Sequence, residues 1–108
     1  MVEYALNLDS VFSSLADPTR RDILQRVAEG EFSVGQLAKH YDLTFSAVSK
    51  HLKVLERAHL VIKRRRGKEQ MVSLAPETMA NALEYLEWYG KFISNRYDSL
   101  EIYINKEE

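Results

Sequence analysis

The sequence predicts one mostly α-helical domain with a small β-hairpin near its centre. Over most of the 108 residues, apolar side chains recur three or four positions apart, which is the spacing of one helix face. Within residues 60–74, two short β-prone runs instead flank a glycine. After Pro76, an apolar 4,3 spacing continues almost to the C-terminus and predicts a long helix over residues 76–104. A chain of this length is expected to form a single domain over residues 1–108.

Two helices are predicted before Gly30. Asp17 and Pro18 begin the second of them, because Asp is a good N-cap and Pro suits the first helical position. This second helix is expected to end near Gly30. The first helix is short, over residues 8–15, where four apolar residues have helical spacing: Leu8, Val11, Phe12 and Leu15.

Arg20 and Arg21 lie in the first turn of the second helix, where the positive end of the helix dipole disfavours cations. A nearby acid or a bound phosphate would remove that cost. The sequence therefore favours pairing of these arginines with Asp17 or Asp22.

A helix-turn-helix is predicted over residues 33–58. Its first helix opens at Ser33, because Gln36 three residues later completes a capping box. Its second helix, the recognition helix, runs from Thr44 to about Ala58. Three apolar residues of this helix are spaced to face inward: Val48, Leu52 and Leu55.

The hairpin over residues 60–74 directly follows the recognition helix, which is the position of a wing. Its strands are the β-prone runs LVIKRR and EQMVSL, with Arg66-Gly67-Lys68 in the turn between them. The predicted architecture is therefore a winged helix-turn-helix followed by a long C-terminal dimerisation helix.

Positive charge is concentrated in residues 44–68, which span the recognition helix and the wing. This stretch holds eight Lys or Arg and one acid, a net of +7, whereas the whole chain has a formal net charge of −1. The rest of the chain therefore carries −8. A basic face on an acidic body is typical of a nucleic-acid binder.

The predicted DNA contacts lie on the helix-turn-helix and the wing. Free backbone N–H groups at the start of the recognition helix suit a phosphate, and small polar side chains there can approach base edges. Lys50 can reach a guanine edge or a phosphate, and the wing arginines can follow the backbone or enter a minor groove. The predicted contacts to double-stranded DNA are Gln36, Lys39, Thr44, Phe45, Ser46, Ala47, Ser49, Lys50, Lys53, Arg64, Arg65, Arg66 and Lys68.

The apolar stripe of the C-terminal helix would be only partly covered in a monomer, and an exposed apolar patch indicates an interface. A symmetric homodimer would place two recognition helices about one DNA turn apart, roughly 34 Å, which matches an inverted repeat. The predicted dimer interface consists of Leu8, Val11, Phe12, Leu15, Met79, Leu83, Leu86, Ile93 and Leu100. A neighbouring aromatic cluster favours the same interface, with a ligand pocket as the alternative: Tyr85, Trp88, Tyr89 and Phe92.

Several classes of function lack support in the composition. The chain has no cysteine, and its histidines and carboxylates form no metal-binding pattern, so no metal site is predicted. No nucleophile is placed beside a base and an orienting group, so neither an enzyme nor a cofactor is predicted. The N-terminus has no signal-peptide pattern and no apolar run is long enough to span a membrane, so a cytoplasmic protein without membrane contact is expected.

Three stretches carry a family resemblance: LADPTRRDIL at 15–24, SVGQLAKHYDLTFSAVSKHLKVLERAHLV at 33–61, and RRRGKE with MVSL at 64–74. Over about residues 8–100, the chain resembles the ArsR family of winged-helix bacterial repressors. The resemblance implies a sequence-specific, DNA-binding transcriptional regulator, expected to be a homodimeric repressor of an inverted-repeat operator. It leaves open whether a small-molecule or protein inducer exists, and whether regulation is by repression or activation.

The chain departs from the metal-sensing members of that family. Such members carry cysteines in the third helix, where this chain has Ser33 and Gly35, or histidines in the last helix, where residues 76–104 have none. With FISNRYDSLEIYI at 92–104, the chain is similar to a subgroup without metal ligands. The family usually has a left-handed glycine cap after the recognition helix, a conformation that His59 is expected to adopt here.

A second function class also fits the charge pattern. A winged helix can act as a protein-interaction module whose basic hairpin binds an acidic protein partner. A DNA-binding regulator should bind promoter DNA in preference to random DNA of equal length, with a salt-dependent affinity. An interaction module should not.

Overall fold

The computed structural model describes the backbone of residues 2–107 and the side chains of residues 8–93. The mostly α-helical fold with a small β-sheet is confirmed, as is the long C-terminal helix. The elements of the described chain are α1 (Val2–Ser14), α2 (Pro18–Glu29), β1 (Phe32–Ser33), α3 (Val34–Tyr41), α4 (Phe45–Arg57), β2 (Val61–Arg66), β3 (Glu69–Leu74) and α5 (Pro76–Glu107).

Side-chain caps set the starts of α2, α3 and α4. The caps of α2 and α3 were predicted, whereas Thr44, predicted as the first residue of its helix, is the N-cap of α4. Asp17 and Thr44 each accept a hydrogen bond from the backbone N–H three residues later, both at 3.0 Å. Ser33 and Gln36 form the reciprocal capping box, with hydrogen bonds of 3.0 and 2.8 Å. These starts are predictable because each cap is made by residues close together in sequence.

The predicted start of the first helix is wrong, because α1 begins at Val2 instead of residue 8. Ala5 and Leu6 favour helix formation, and no breaker separates them from the apolar face that begins at Leu8. The helix ends at Ser14, one residue before the predicted end.

The side chains of Arg20 and Arg21 form hydrogen bonds with backbone carbonyls at the end of α1. The Arg20 Nε donates to the carbonyl of Ser14 at 2.7 Å, and the Arg21 Nη1 donates to that of Leu15 at 2.7 Å. Carbonyls at a helix C-terminus lack intrahelical partners and form the negative end of the dipole, so guanidinium groups suit them. The predicted pairing with acids is thus only partial: Arg20 interacts electrostatically with Asp17, but the guanidinium hydrogen bonds of both arginines cap the preceding helix.

The predicted wing is confirmed as an antiparallel hairpin. β2 and β3 pair at six positions, from Val61 opposite Leu74 to Arg66 opposite Glu69. Gly67 occupies the left-handed position of the turn, with φ 62°.

β1 was not predicted. Its two residues pair with β3, with Phe32 opposite Val72, so that β3 lies between β1 and β2 in the sheet. A strand this short has no alternation of its own in the sequence. It forms because the chain segment before α3 runs beside β3.

One apolar core joins the helices of the helix-turn-helix to the sheet. The inward stripe of α4 is confirmed, because Val48, Leu52 and Leu55 are fully buried. Strand β2 packs against α4, which places the wing beside the recognition helix. The buried core cluster is Val11, Ile23, Leu24, Val27, Val34, Leu37, Ala38, Val48, Leu52, Leu55, Ala58, Leu60, Val61, Val72 and Ala82.

The connection after α4 confirms the expected left-handed residue. His59 has φ 60°, and the next backbone N–H, that of Leu60, donates to the carbonyl of Leu55 at 3.0 Å. This bond closes the helix in the manner of a glycine cap. The chain then turns directly into β2.

Candidate nucleic-acid interface

The recognition helix α4 presents a polar surface because its apolar stripe anchors the opposite side. Thr44, Ser46 and Lys50 are exposed, while Ala47 and Ser49 are half-buried. Free backbone N–H groups in the first turn add hydrogen-bond donors at this end of the helix. The surface can therefore accept a phosphate at the helix start and place short polar groups in a groove.

Phe45 is the first residue of α4 and its side chain is 58% exposed. A large apolar ring at this position has no partner among the core residues of the described chain. An exposed aromatic ring beside polar side chains can pack on a thymine methyl group in a major groove.

Helix α3 contributes Gln36 and Lys39, both exposed. The Gln36 Oε1 atom already accepts the backbone N–H of Ser33 in the capping box. Gln36 is therefore oriented with its amide NH₂ as the group left to donate to DNA. Lys39 offers an exposed cation near the end of the same helix.

The wing carries its arginines on two faces of the sheet, because side chains alternate along a strand. Arg64 and Arg66 share one face and both form ion pairs with Glu31, at 2.8 and 2.5 Å. Arg65 projects from the other face, and Lys68 lies in the exposed turn. Among the side chains that the structure describes, no carboxylate pairs with Arg65 or Lys68.

No role was predicted for two charged residues of this region, Glu31 and Lys63. Lys63 pairs with Glu56 of α4 at 3.2 Å and so links the wing to the recognition helix. Glu31 lies in the connection between α2 and β1, with no local signal that it would meet the wing. Only the strand order of the sheet brings it to the arginines.

Comparison with known proteins identifies this arrangement. The family model described as bacterial regulatory protein, arsR family, matches residues 17–63. The HTH-type transcriptional regulator Rv2034 of Mycobacterium tuberculosis is 43% identical over 72 residues, which are 67% of each chain. The chain belongs to the ArsR family. It is a DNA-binding transcriptional regulator and not an enzyme.

A further relative and two solved structures extend the likeness. The transcriptional repressor SdpR of Bacillus subtilis is 28% identical over 79 residues, covering 73% of this chain and 88% of the relative. A solved ArsR-like transcriptional regulator from Rhodococcus sp. RHA1 is 26% identical with a TM-score of 0.75, covering 100% of this chain and 99% of the other. A homodimeric winged helix-turn-helix domain from Mycobacterium bovis, 24% identical, shares the fold with a TM-score of 0.64 over 83% of this chain and 81% of the other.

This ArsR-family chain has a second notable surface along α5. Exposed aliphatic residues of the predicted interface are Leu83, Leu86 and Ile93, and Phe12 of α1 joins them. The Phe12 ring lies 6.2 Å from that of Tyr85, so α1 and α5 share this face. Edge contacts connect the aromatic cluster further: Tyr85 to Tyr89, Tyr89 to Trp88, and Trp88 to Phe92.

Four other residues of the predicted dimer interface, Leu8, Val11, Leu15 and Met79, contribute to the protomer core or pack against it. Val11 is 1% exposed and belongs to the core of the protomer itself. Adjacent residues on a helix point in different directions, so Val11 faces α4 while Phe12 is exposed. Leu8, Leu15 and Met79 are partly buried against that core. The side chain of Leu100 lies outside the described residues.

A polar network holds the first helix of the helix-turn-helix to α2 in this ArsR-family chain. The Tyr41 hydroxyl hydrogen-bonds the Asp22 carboxylate, which also accepts the Arg26 Nε at 3.2 Å. Burial, followed by the hydrogen bond to Asp22, raises the pKa of Tyr41 to about 12. The Tyr41 hydrogen bond is also the main cause that lowers the pKa of Asp22.

Asp17 connects the start of α2 to the recognition helix. Its carboxylate caps α2 and lies 3.8 Å from the Nδ1 of His51 on α4. The hydrogen bond from the Arg20 backbone N–H is the main cause that lowers the Asp17 pKa, and the nearby His51 adds to it. His51 thus serves the packing of α4 on α2.

Neither a metal site nor a membrane span is present in the described part of the chain. No group of three or more histidines and carboxylates there could hold a metal ion. Within the described residues, no helix is both long and apolar enough to cross a bilayer.

Proposed function

We propose that this chain is a homodimeric repressor that binds an inverted-repeat operator through α4 and the wing. One observation carries the proposal: the exposed cations of α4 and of the wing lie on two elements that pack against each other. A duplex lying across this surface would meet a recognition helix and a basic hairpin together. The acidic remainder of the chain keeps other surfaces away from phosphates.

Each element would have a separate task on DNA. Thr44, Ser46 and Lys50 of α4 would read base edges in the major groove, with a phosphate at the helix start. Arg65 and Lys68 of the wing would contact the backbone or a minor groove, because neither is paired within the described side chains. The remaining members of the predicted contact set would position the protein on the duplex.

The dimer would form through the exposed apolar face of α5 together with Phe12. A contiguous apolar face is unfavourable in water and marks an interface. The Mycobacterium bovis domain is homodimeric, which supports a second copy as the occupant. Pairing two copies would set two recognition helices roughly 34 Å apart.

Repression and a cytoplasmic location follow from the same proposal. SdpR is named a transcriptional repressor, which supports repression over activation for this chain. A bacterial regulator must reach the chromosome, so it should act in the cytoplasm. An operator-bound dimer would then block transcription of the genes it controls.

The test is capture of genomic DNA fragments by the purified chain, followed by sequencing. We expect enriched fragments to share an inverted repeat with half-sites centred about one helical turn apart. A captured fragment should bind more tightly than random DNA of equal length in a titration across salt concentrations. Equal affinity for both, together with tight binding to an acidic protein, would favour the interaction-module alternative.

A further inference from the structure

One carboxylate engages two arginines of the wing. The Glu31 Oε2 lies 2.8 Å from the Arg64 Nη2, and its Oε1 lies 2.5 Å from the Arg66 Nη2. The Glu31 side chain is only 21% exposed, whereas those of Arg64 and Arg66 are 66% and 61% exposed. The acid is thus partly buried, and the two cations are open to solvent and to any approaching polyanion.

This contact divides the run of three arginines. Arg64 and Arg66 are two residues apart on β2 and lie on one face, which they share with the buried Met71 of β3. Arg65 lies on the opposite face and forms no ion pair with the same carboxylate. Glu31 therefore lowers the net charge of its own face of the wing by one, on a face where Glu69 already lies opposite Arg66.

The ion pairs are not needed to hold the strand. β2 is already paired to β3 at six positions, and the hairpin packs on α4. Exposed ion pairs of this kind contribute little to folding stability. The main effect of Glu31 should therefore fall on the charge that the wing offers to DNA.

We propose that Glu31 competes with DNA phosphates for Arg64 and Arg66, and so weakens sequence-independent binding to duplex DNA. This inference rests on the proposed DNA-binding function. An arginine that contacts a phosphate must either break its ion pair with Glu31 or bring the negatively charged Glu31 carboxylate close to the DNA backbone. Each cation that neutralises a phosphate releases counterions, so the competition should be visible in the salt dependence of binding.

The experiment compares the full-length wild type with Glu31→Gln on a random-sequence duplex, by fluorescence anisotropy between about 50 and 200 mM salt. Glu31→Gln should raise the affinity about three- to tenfold near 100 mM salt and steepen the log–log salt slope by up to about 0.9. Glu29→Gln is the matched control, because Glu29 is an exposed acid at the end of α2 with no ion pair among the described side chains. It should leave both quantities nearly unchanged.

A double-variant background separates direct competition from a general field effect. When Arg64 and Arg66 are both replaced by Gln, Glu31→Gln should no longer raise the affinity. A rise of the same size in that background would overturn the proposal. Circular dichroism should show the same helix content for every variant, and Glu31→Asp provides a second variant that keeps the charge with a shorter reach and should give a smaller rise.

Other outcomes are equally decisive. Unchanged binding by Glu31→Gln would show that this face of the wing does not meet DNA. Weaker binding would show that Glu31 orients the arginines for DNA instead of competing for them. If the wild type binds no duplex at all, the proposed function itself fails; if it binds and Glu31→Gln matches it, only the present inference fails.

Discussion

Lys50 is the first cation on the outward surface of α4, and it follows the half-buried Ser49. Its side chain makes no ion pair within the described residues, in contrast to Lys63, which is held by Glu56. A free cation beside short polar groups is suited to a base edge or a phosphate. Single residues on this helix therefore affect affinity without affecting the core.

Lys50→Ala should weaken operator binding by about 1–3 kcal/mol if Lys50 contacts a base. Its effect should be larger on operator DNA than on random DNA. Lys53→Ala is the comparison, because loss of a phosphate contact should weaken both duplexes about equally. Gel-shift titrations at fixed salt measure both, and an unchanged operator affinity would remove Lys50 from the interface.

Asp17→Ala should destabilise the fold by about 0.5–2 kcal/mol at neutral pH, because α2 loses its N-cap. The Asp17 pKa lies below its usual value of 3.8, mainly through the Arg20 backbone N–H. The stabilisation is thus fully present above that usual value and is lost as pH falls through the lower folded-state pKa. Urea unfolding at several pH values should show the gap between wild type and variant closing in acid; a constant gap would contradict this assignment.

Zn(II), Cd(II) and As(III) should not release this protein from DNA. The chain has no cysteine, and its described histidines and carboxylates form no cluster that could hold a metal. Operator titrations with and without each metal provide the measurement. Stoichiometric metal binding that lowers operator affinity would contradict this prediction.

At the scale of elements, the helix-turn-helix is oriented by contacts that reach outside it. Tyr41 ties the end of α3 to α2 through Asp22, and Arg26 lies 5.8 Å from the centre of the Tyr41 ring. His51 and Asp17 connect α4 to the start of α2. Contacts with α2 therefore help to fix the orientation of the recognition helix.

Tyr41→Phe should cost about 1.5–3 kcal/mol of folding stability, the usual range for a hydrogen bond to a charged group. The ring contacts with Arg26 and His40 remain in this variant, so the loss reports the hydroxyl alone. Because the Tyr41 pKa is raised to about 12, its contribution is present below about pH 10 and declines as pH rises through the higher value.

A double-mutant cycle provides the control for Tyr41→Phe. In an Asp22→Asn background, the substitution should cost clearly less than in the wild type, because the charged acceptor is gone. Equal costs in the two backgrounds, measured by chemical denaturation, would show that the hydroxyl acts independently of Asp22.

At the scale of the whole molecule, the described chain leaves one apolar face without a cover. Leu86 is 48% exposed in the middle of α5, between exposed aliphatic and aromatic neighbours. Burying a Leu contributes roughly 1.5–3 kcal/mol, and a symmetric dimer contains each contact twice. The oligomer and the spacing of the recognition helices would therefore depend on the same side chains.

Leu86→Glu should give monomers or aggregates and abolish tight operator binding while leaving the recognition helix intact. Sedimentation equilibrium with a parallel DNA titration measures both effects. Gln25→Glu is the matched control, since it adds the same charge at an exposed position of α2. A Leu86→Glu protein that remains dimeric and binds normally would show that the interface lies on another face.

Local chemistry made much of the fold predictable. The caps at Asp17 and Ser33, the turn at Gly67 and the inward stripe of α4 involve residues near one another in sequence. The basic stretch over residues 44–68 indicated a nucleic-acid interface for the same reason, since neighbouring charges act together wherever the chain places them.

Sequence alone thus determined the order of the helices and the hairpin, the caps of α2 and α3, and the basic character of α4 and the wing, because these depend on short-range interactions. Only the tertiary structure decided the partners of long-range contacts. In the folded chain, β1 pairs with β3 and Val11 lies in the protomer core. Arg20 and Arg21 donate to carbonyls at the end of α1, and Glu31 forms ion pairs with two arginines of the wing. Such pairings depend on strand order and helix packing, which bring together residues with no common local pattern.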